Sequence, residues 1–245
     1  MNPAIVIPTY WSGSGADMQA PGTYDHSTPI DAGAPDLERC LSSLEQVQNL
    51  CRIVVLVVSP QAQTRAAGER VRAIAGAHPS MDIRIVTNEQ ASRIAERVAQ
   101  IAPKAGGEPV SLRGYGAIRN MGLAVSAVLG HDAVIFLDDD EVVLSPDFMK
   151  RALYGLGAET RQGLPILVKT GYFYSEQGSP LADTSSAGIT HRWWTKRIEF
   201  NRWMRKALSA TRISRSNYVC GGLFALHARA YTRVAFDPWI TRGED

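Results

Sequence analysis

The sequence predicts an α/β fold: a Rossmann-like, mostly parallel central sheet with helices on both faces, and a smaller region of sheet and helix towards the C-terminus. Strand-like segments at residues 4–8, 52–58 and 132–138 each hold an unbroken apolar run, the pattern of strands buried on both faces. Segments with apolar residues at helical spacing lie between the runs. Polar residues, Tyr10, Ser59, Asn88 and Asp138, follow the strand-like segments, and α/β sheets bind their ligands beyond the carboxyl ends of strands.

Taken in order, residues 4–8 (AIVIP) form the first buried strand, with Pro8 ending the run. Residues 11–36, rich in Gly, Ser, Pro and Asp, predict a long loop. Leu37, Leu41, Leu44 and Val47 recur at helical spacing over 34–50, and Pro35 and Asp36 suit a first turn. Residues 52–58 (RIVVLVV) form a second buried strand, stopped by Ser59 and Pro60. A helix over 62–78, an alternating strand over 82–87 and a helix over 90–102 follow. Residues 115–130 predict a helix with small or apolar residues on most faces, and 132–138 a further parallel strand. Beyond residue 150 the pattern changes. Residues 151–159 read as helix, and 166–174 alternate like an antiparallel or edge strand carrying a solvated Lys169. Residues 218–231 read as a strand that enters a helix through Gly221 and Gly222.

Composition narrows the function classes. The 245 residues carry a net charge of only +2, so total charge gives no footprint for nucleic acid. Cys40, Cys51 and Cys220 are too scattered for a disulfide framework or a thiolate metal site. The sparse cysteines fit a reducing, intracellular setting, the first apolar run lacks a preceding basic region and no segment reaches membrane-spanning length, so the expected location is cytoplasmic, with association on the cytoplasmic side of a membrane left open. The ending FDPWITRGED, with no closing helix, reads as a chain truncated at its C-terminus.

Residues 134–143, VIFLDDDEVV, place four carboxylates at the end of a buried run. Like charges this close repel and raise one another's pKa unless water or a cation relieves them. A solvated turn is one solution. The other is Mg²⁺ or Mn²⁺, which takes carboxylates together with substrate phosphates. Asp138 and Asp140, two apart, can point the same way while Asp139 points elsewhere. These residues alone leave both solutions open.

Four segments, in order, resemble the GT-A glycosyltransferases, in particular the large inverting group that uses nucleotide-activated sugars. They are IVIPTY, GYGAIRNMG, FLDDDEVVLSPDF, and CGGLFALHARAY with the final RGED. The resemblance implies a single GT-A domain over 1–245, with a nucleotide-sugar-binding half (1–140) and an acceptor-binding half (141–245). It implies that Pro8, Thr9 and Tyr10 border the nucleoside and that Asp138, Asp139 and Arg119 lie on the donor side. Asp140, with Asp138 nearby, would hold Mn²⁺ or Mg²⁺. Gly221 and Gly222 would shape the acceptor pocket, with Asp245 as general base and Glu244 beside it. The implied activity is hexosyltransferase-like: metal-dependent transfer from a nucleoside-diphosphate sugar to a carbohydrate or other hydroxyl acceptor, anionic ones included, with inversion. A Lewis acid would stabilise the departing diphosphate and a carboxylate would take the acceptor proton. One departure stands out. Where many relatives have an acidic residue after the second strand, this chain reads VVSPQ, so Ser59 leaves base recognition to Asn88 or the 11–36 loop.

Residues 191–215 hold six arginines, two lysines, one glutamate and three of the five tryptophans. Three readings stay open: a helix with Trp194, Ile198, Met204 and Leu208 in the core, a basic face on an anionic membrane surface, or an acceptor contact through Trp193 and Arg197. Two other function classes also stay open: a nucleotidyltransferase of related architecture and a non-catalytic carbohydrate- or protein-binding domain. The first lacks a lysine near SGSG, and the histidines lack metal-ligand spacing.

Overall fold

The computed structural model describes residues 1–13, 27–102, 109–175, 177–184, 196–209, 213–216 and 218–240. A seven-stranded sheet runs through its centre. The strands are β1 (Pro3–Ser12), β2 (Thr28–Pro29), β3 (Arg52–Val58), β4 (Ile83–Val86), β5 (Ala133–Leu137), β6 (Val168–Thr170) and β7 (Leu223–His227). Their order is β4-β3-β1-β5-β7-β6, with β2 paired to the end of β1. β4, β3, β1 and β5 are parallel, whereas β7 is antiparallel to both β5 and β6. The sheet is therefore mixed, which corrects the expectation of a mostly parallel one. The reversal starts where β5 ends: Asp138 N donates to Gly222 O at 3.0 Å, so β7 begins beside the exit of β5 and runs back along it.

Strand alternation sends successive side chains to opposite faces. Ile5, Ile7, Ile53, Val55 and Ile135 pack with Leu37, Leu41 and Leu44 of α1 (Asp36–Leu44), Val71 and Ile74 of α2 (Thr64–Gly76), and Phe148 and Met149 of α5 (Phe148–Leu153). Val6, Val54, Leu56, Val134 and Phe136 pack with Ala91 of α3 (Asn88–Ile101), Ile118 and Met121 of α4 (Tyr115–Val128), and Tyr231 of α7 (Ala228–Tyr231). Each such aliphatic side chain removed from water contributes about 1.5–3 kcal/mol before the entropy of ordering is set against it. α4 lies very close to the sheet: a Cβ on Gly122 would stand 2.8 Å from Val6 Cγ1 and 2.9 Å from Phe136 Cε1. α3 begins with a capping box between Thr87 and Gln90.

Several local expectations are corrected. Pro8 does not end β1 but lies within it, opposite Leu56. Gly221 and Gly222 precede β7, and α7 follows the strand directly. Lys169 is half-buried. Its Nζ donates to the carbonyl oxygens of Arg151, Ala152 and Tyr154 at 2.8, 3.0 and 2.8 Å, which serves the orphan carbonyls at the end of α5. In α6 (Lys196–Leu208) the buried residues are Asn201 and Met204, while Ile198 and Leu208 are exposed. Asn201 exchanges two hydrogen bonds with the backbone of Ala182. No helix among the described residues is long and apolar enough to cross a membrane.

Candidate functional site

The carboxyl end of β5 opens into the acidic turn. Glu141 N donates to Asp138 O at 3.2 Å, closing the chain on itself. Arg119, from the middle of α4, reaches the turn from beneath. Its Nη2 donates both to Asp138 Oδ1 at 3.1 Å and to Gly221 O at 2.8 Å. Arg119 is only 4% exposed. Its guanidinium carbon lies 5.0 Å from the Phe136 ring centre and 5.3 Å from that of Phe224, and the two rings stack at 4.9 Å. A buried cation is costly unless paired; here a carboxylate, a carbonyl and two aromatic faces offset that cost.

The four acids fare differently. Asp139 is buried, and its carboxyl is pushed up to about 7, first by burial and then by Asp140, Asp138 and Asp36. The nearby Thr9 hydroxyl pulls the other way, although neither Thr9 Oγ1 nor Asp139 Oδ2 has a hydrogen-bond partner of normal geometry among the described residues. Asp140 is exposed. Glu141 is pushed up to about 7 by burial and by Asp140 and Asp138. Its carboxylate and that of Asp138 converge on Gly222, where a Cβ would meet Glu141 Oε1 at 2.9 Å and Asp138 Oδ2 at 3.3 Å. Cys40 lies behind the turn, its Sγ 3.8 Å from Asp138 O. Burial and the four neighbouring carboxylates raise its pKa, keeping it a protonated thiol.

The structure thus gathers Arg119, Asp138, Gly221 and Gly222 at one point, with Asp139, Asp140 and Thr9 around it. Pro8 and Thr9 are buried in β1. Tyr10 is half-buried, its ring 6.0 Å from that of Tyr115 at the start of α4. Asn88 is apart from this group, at the start of α3 just beyond β4, where its Nδ2 donates to Thr64 Oγ1 at 3.0 Å. Thr64, Thr87, Arg65 and Arg72 help line an open cleft of about 340 Å³ there. Arg197 donates to Asp183 O at 3.0 Å. Trp193, Trp194, Glu244 and Asp245 lie outside the described residues. Sequence reasoning passed over Phe136 and Phe224 as ring partners of Arg119, and over Glu141; the fourth acid of DDDE was the available signal for the last.

No protein-family model matches the chain, and no curated protein matches it in sequence. Among solved structures it is similar to a mannosyltransferase from Pyrobaculum calidifontis in complex with GDP-Man and Mn²⁺: TM-score 0.49, 14% identity, 98% of this chain and 48% of that one. It is also similar to glucosyl-3-phosphoglycerate synthase from Mycobacterium tuberculosis in complex with Mn²⁺, UDP and phosphoglyceric acid: TM-score 0.45, 17% identity, 97% of this chain and 59% of that one. The chain spans about half to three fifths of the length of these structures. Likeness at this level leaves the description of the fold to the topology above: an α/β domain with a mixed central sheet between two layers of helices.

Among the described residues no group of three or more His, Cys, Asp or Glu side chains is arranged to hold a metal ion by itself. Mg²⁺ and Mn²⁺ often take one or two carboxylates and complete their shell with water and substrate phosphates. The donor set fits that use. Asp138, Asp140 and Glu141 are all hard oxygen donors at the end of one strand.

Proposed function

We propose that this protein transfers a sugar from a nucleoside-diphosphate sugar to an acceptor hydroxyl, with inversion. The observation that carries the reading is the acidic turn itself. A carboxylate cluster sits at the carboxyl end of a parallel strand, where such sheets bind ligands, and Asp138 is fixed there by a buried arginine. The ordered resemblance of IVIPTY, GYGAIRNMG and FLDDDEVVLSPDF to GT-A glycosyltransferases supports it.

In this reading Asp140 and Asp138 would hold the divalent cation, which when bound would supply Lewis-acid stabilisation of charge on the diphosphate. Arg119 holds Asp138 in one orientation and so preorganises the turn. Thr9 and Tyr10 border the nucleoside. Gly222 keeps the space between Asp138 and Glu141 free of a side chain, so the acceptor side can approach closely. Asp245 takes the proton of the attacking hydroxyl from the face opposite the diphosphate.

Calorimetry with UDP and GDP tests this. Binding is expected with Mn²⁺ and should weaken at least about tenfold in EDTA or in Asp140→Ala, a difference of about 1.4 kcal/mol. Equal affinity in EDTA, or full binding by Asp140→Ala, would remove the turn from donor binding. Asp245→Asn should lower turnover by about 10²–10⁴-fold while leaving nucleotide affinity unchanged.

A further inference from the structure

Three consecutive aromatics, Tyr172, Phe173 and Tyr174, follow β6 and stand 39%, 47% and 51% exposed. Single exposed apolar residues are ordinary, but a contiguous aromatic group at the surface marks a contact site more often than chance. Tyr172 and Tyr174 are also arranged. Their rings meet edge to face, 5.6 Å apart at 73°, and their hydroxyls lie 3.5 Å from each other.

Their place in the fold gives them a ligand. β6 and β5 point the same way, because both are antiparallel to β7. Residues leaving β6 therefore emerge at the same end of the sheet as the acidic turn, two strands across, or about 10 Å at ordinary strand spacing. The connection is continuous. Gly171 N donates to Leu223 O and Cys220 N to Thr170 Oγ1, each at 2.8 Å, while Gly222 O accepts from Asp138 N. The residues that lead into the tyrosine pair, Thr170 and Gly171, are thus hydrogen-bonded to the segment that holds Gly222 beside Asp138 and Glu141.

We propose that Tyr172 and Tyr174 form a carbohydrate subsite on the acceptor side of the acidic turn. A sugar offers a C–H face that packs on an aromatic ring and hydroxyls that pair with phenolic oxygens. Tyrosine supplies both kinds of contact at low conformational cost. The word "acceptor" rests on the transfer reading above; sugar binding by the pair does not.

Saturation-transfer NMR with maltose, cellobiose and mannobiose, each at millimolar concentration, tests the subsite. At least one of the three is expected to receive saturation at its ring C–H protons. The affinity should fall about tenfold in Tyr172→Ala/Tyr174→Ala, near the upper value for an aromatic contact. Tyr172→Phe/Tyr174→Phe keeps the rings and should lose no more than about threefold. Circular dichroism confirms that the variants are folded, and the phenylalanine pair keeps the test alive should the alanine pair unfold. No transfer to any of the three sugars, or transfer unchanged in a folded alanine variant, overturns the subsite. The nucleotide calorimetry separates the two ideas. Sugar binding without metal-dependent nucleotide binding leaves the subsite standing and removes its acceptor role, and the reverse result removes the subsite alone.

Discussion

The two parts of the sheet are held by different physics. In β3, β1 and β5 nearly every side chain is buried, and helices cover both faces. Across β7 the character changes. β6 is three residues long with Val168 half-exposed, and its surroundings are tied by polar links: Lys169 to three carbonyls, Thr170 to Cys220, Asn201 to Ala182. A dense apolar core suits a scaffold that must hold carboxylates in place. A region with few buried apolar contacts opens locally at lower free energy.

The contrast can be broken by mutation. Phe136→Ala, in β5, should cost about 3–5 kcal/mol by denaturant unfolding, since the ring is fully buried and also backs Arg119. A cost below about 1 kcal/mol would mean that the parallel part is less tightly packed than its burial indicates.

The next effect is on pH. Asp139 binds its proton more tightly in the folded chain, near 7, than its ordinary value of 3.8. Stability from this group is full below about pH 4 and is lost as pH rises through about 7; Glu141 acts in the same direction. The Tm should therefore be lower at about pH 8 than at about pH 5, and Asp139→Asn should narrow the gap. A gap of the same size in Asp139→Asn as in wild type would contradict the raised pKa of this buried carboxyl.

Lys169→Met keeps the apolar stem and removes the donors. It should cost about 1–2 kcal/mol and speed amide exchange at the end of α5 while leaving β1 protected. Exchange rising equally in β1 would show that the two parts unfold as one. Smallest of all, Val168→Ala should stay within about 0.5 kcal/mol; a loss matching that of Phe136→Ala would erase the distinction.

Much of the core region was legible in the sequence. RIVVLVV, stopped by Ser59 and Pro60, gives β3 with its observed limits, because an unbroken apolar run between turn residues has few other solutions. Arg119 stands among apolar helix neighbours in GYGAIRNMG; a cation so placed is costly unless paired, and Asp138 pairs it. The direction of β7 was not legible. It depends on pairing with β5, bordered by a hydrogen bond between Asp138 and Gly222, 84 residues apart, and local pattern carries no information at that range. Lys169 was misread for the same reason: its three carbonyl partners come from another element. Of the expected apolar stripe in α6 only Met204 is buried, beside Asn201, while Ile198 and Leu208 are exposed; tertiary packing chose a narrower face than the spacing offered.

Arg119 Nη2 serves Asp138 and Gly221 at once. One nitrogen thus joins the exit of β5 to the entry of β7 in series, and neither partner can shift without slackening or dragging the other. Whatever draws on the Asp138 carboxylate is felt as tension at the turn that starts the last strand.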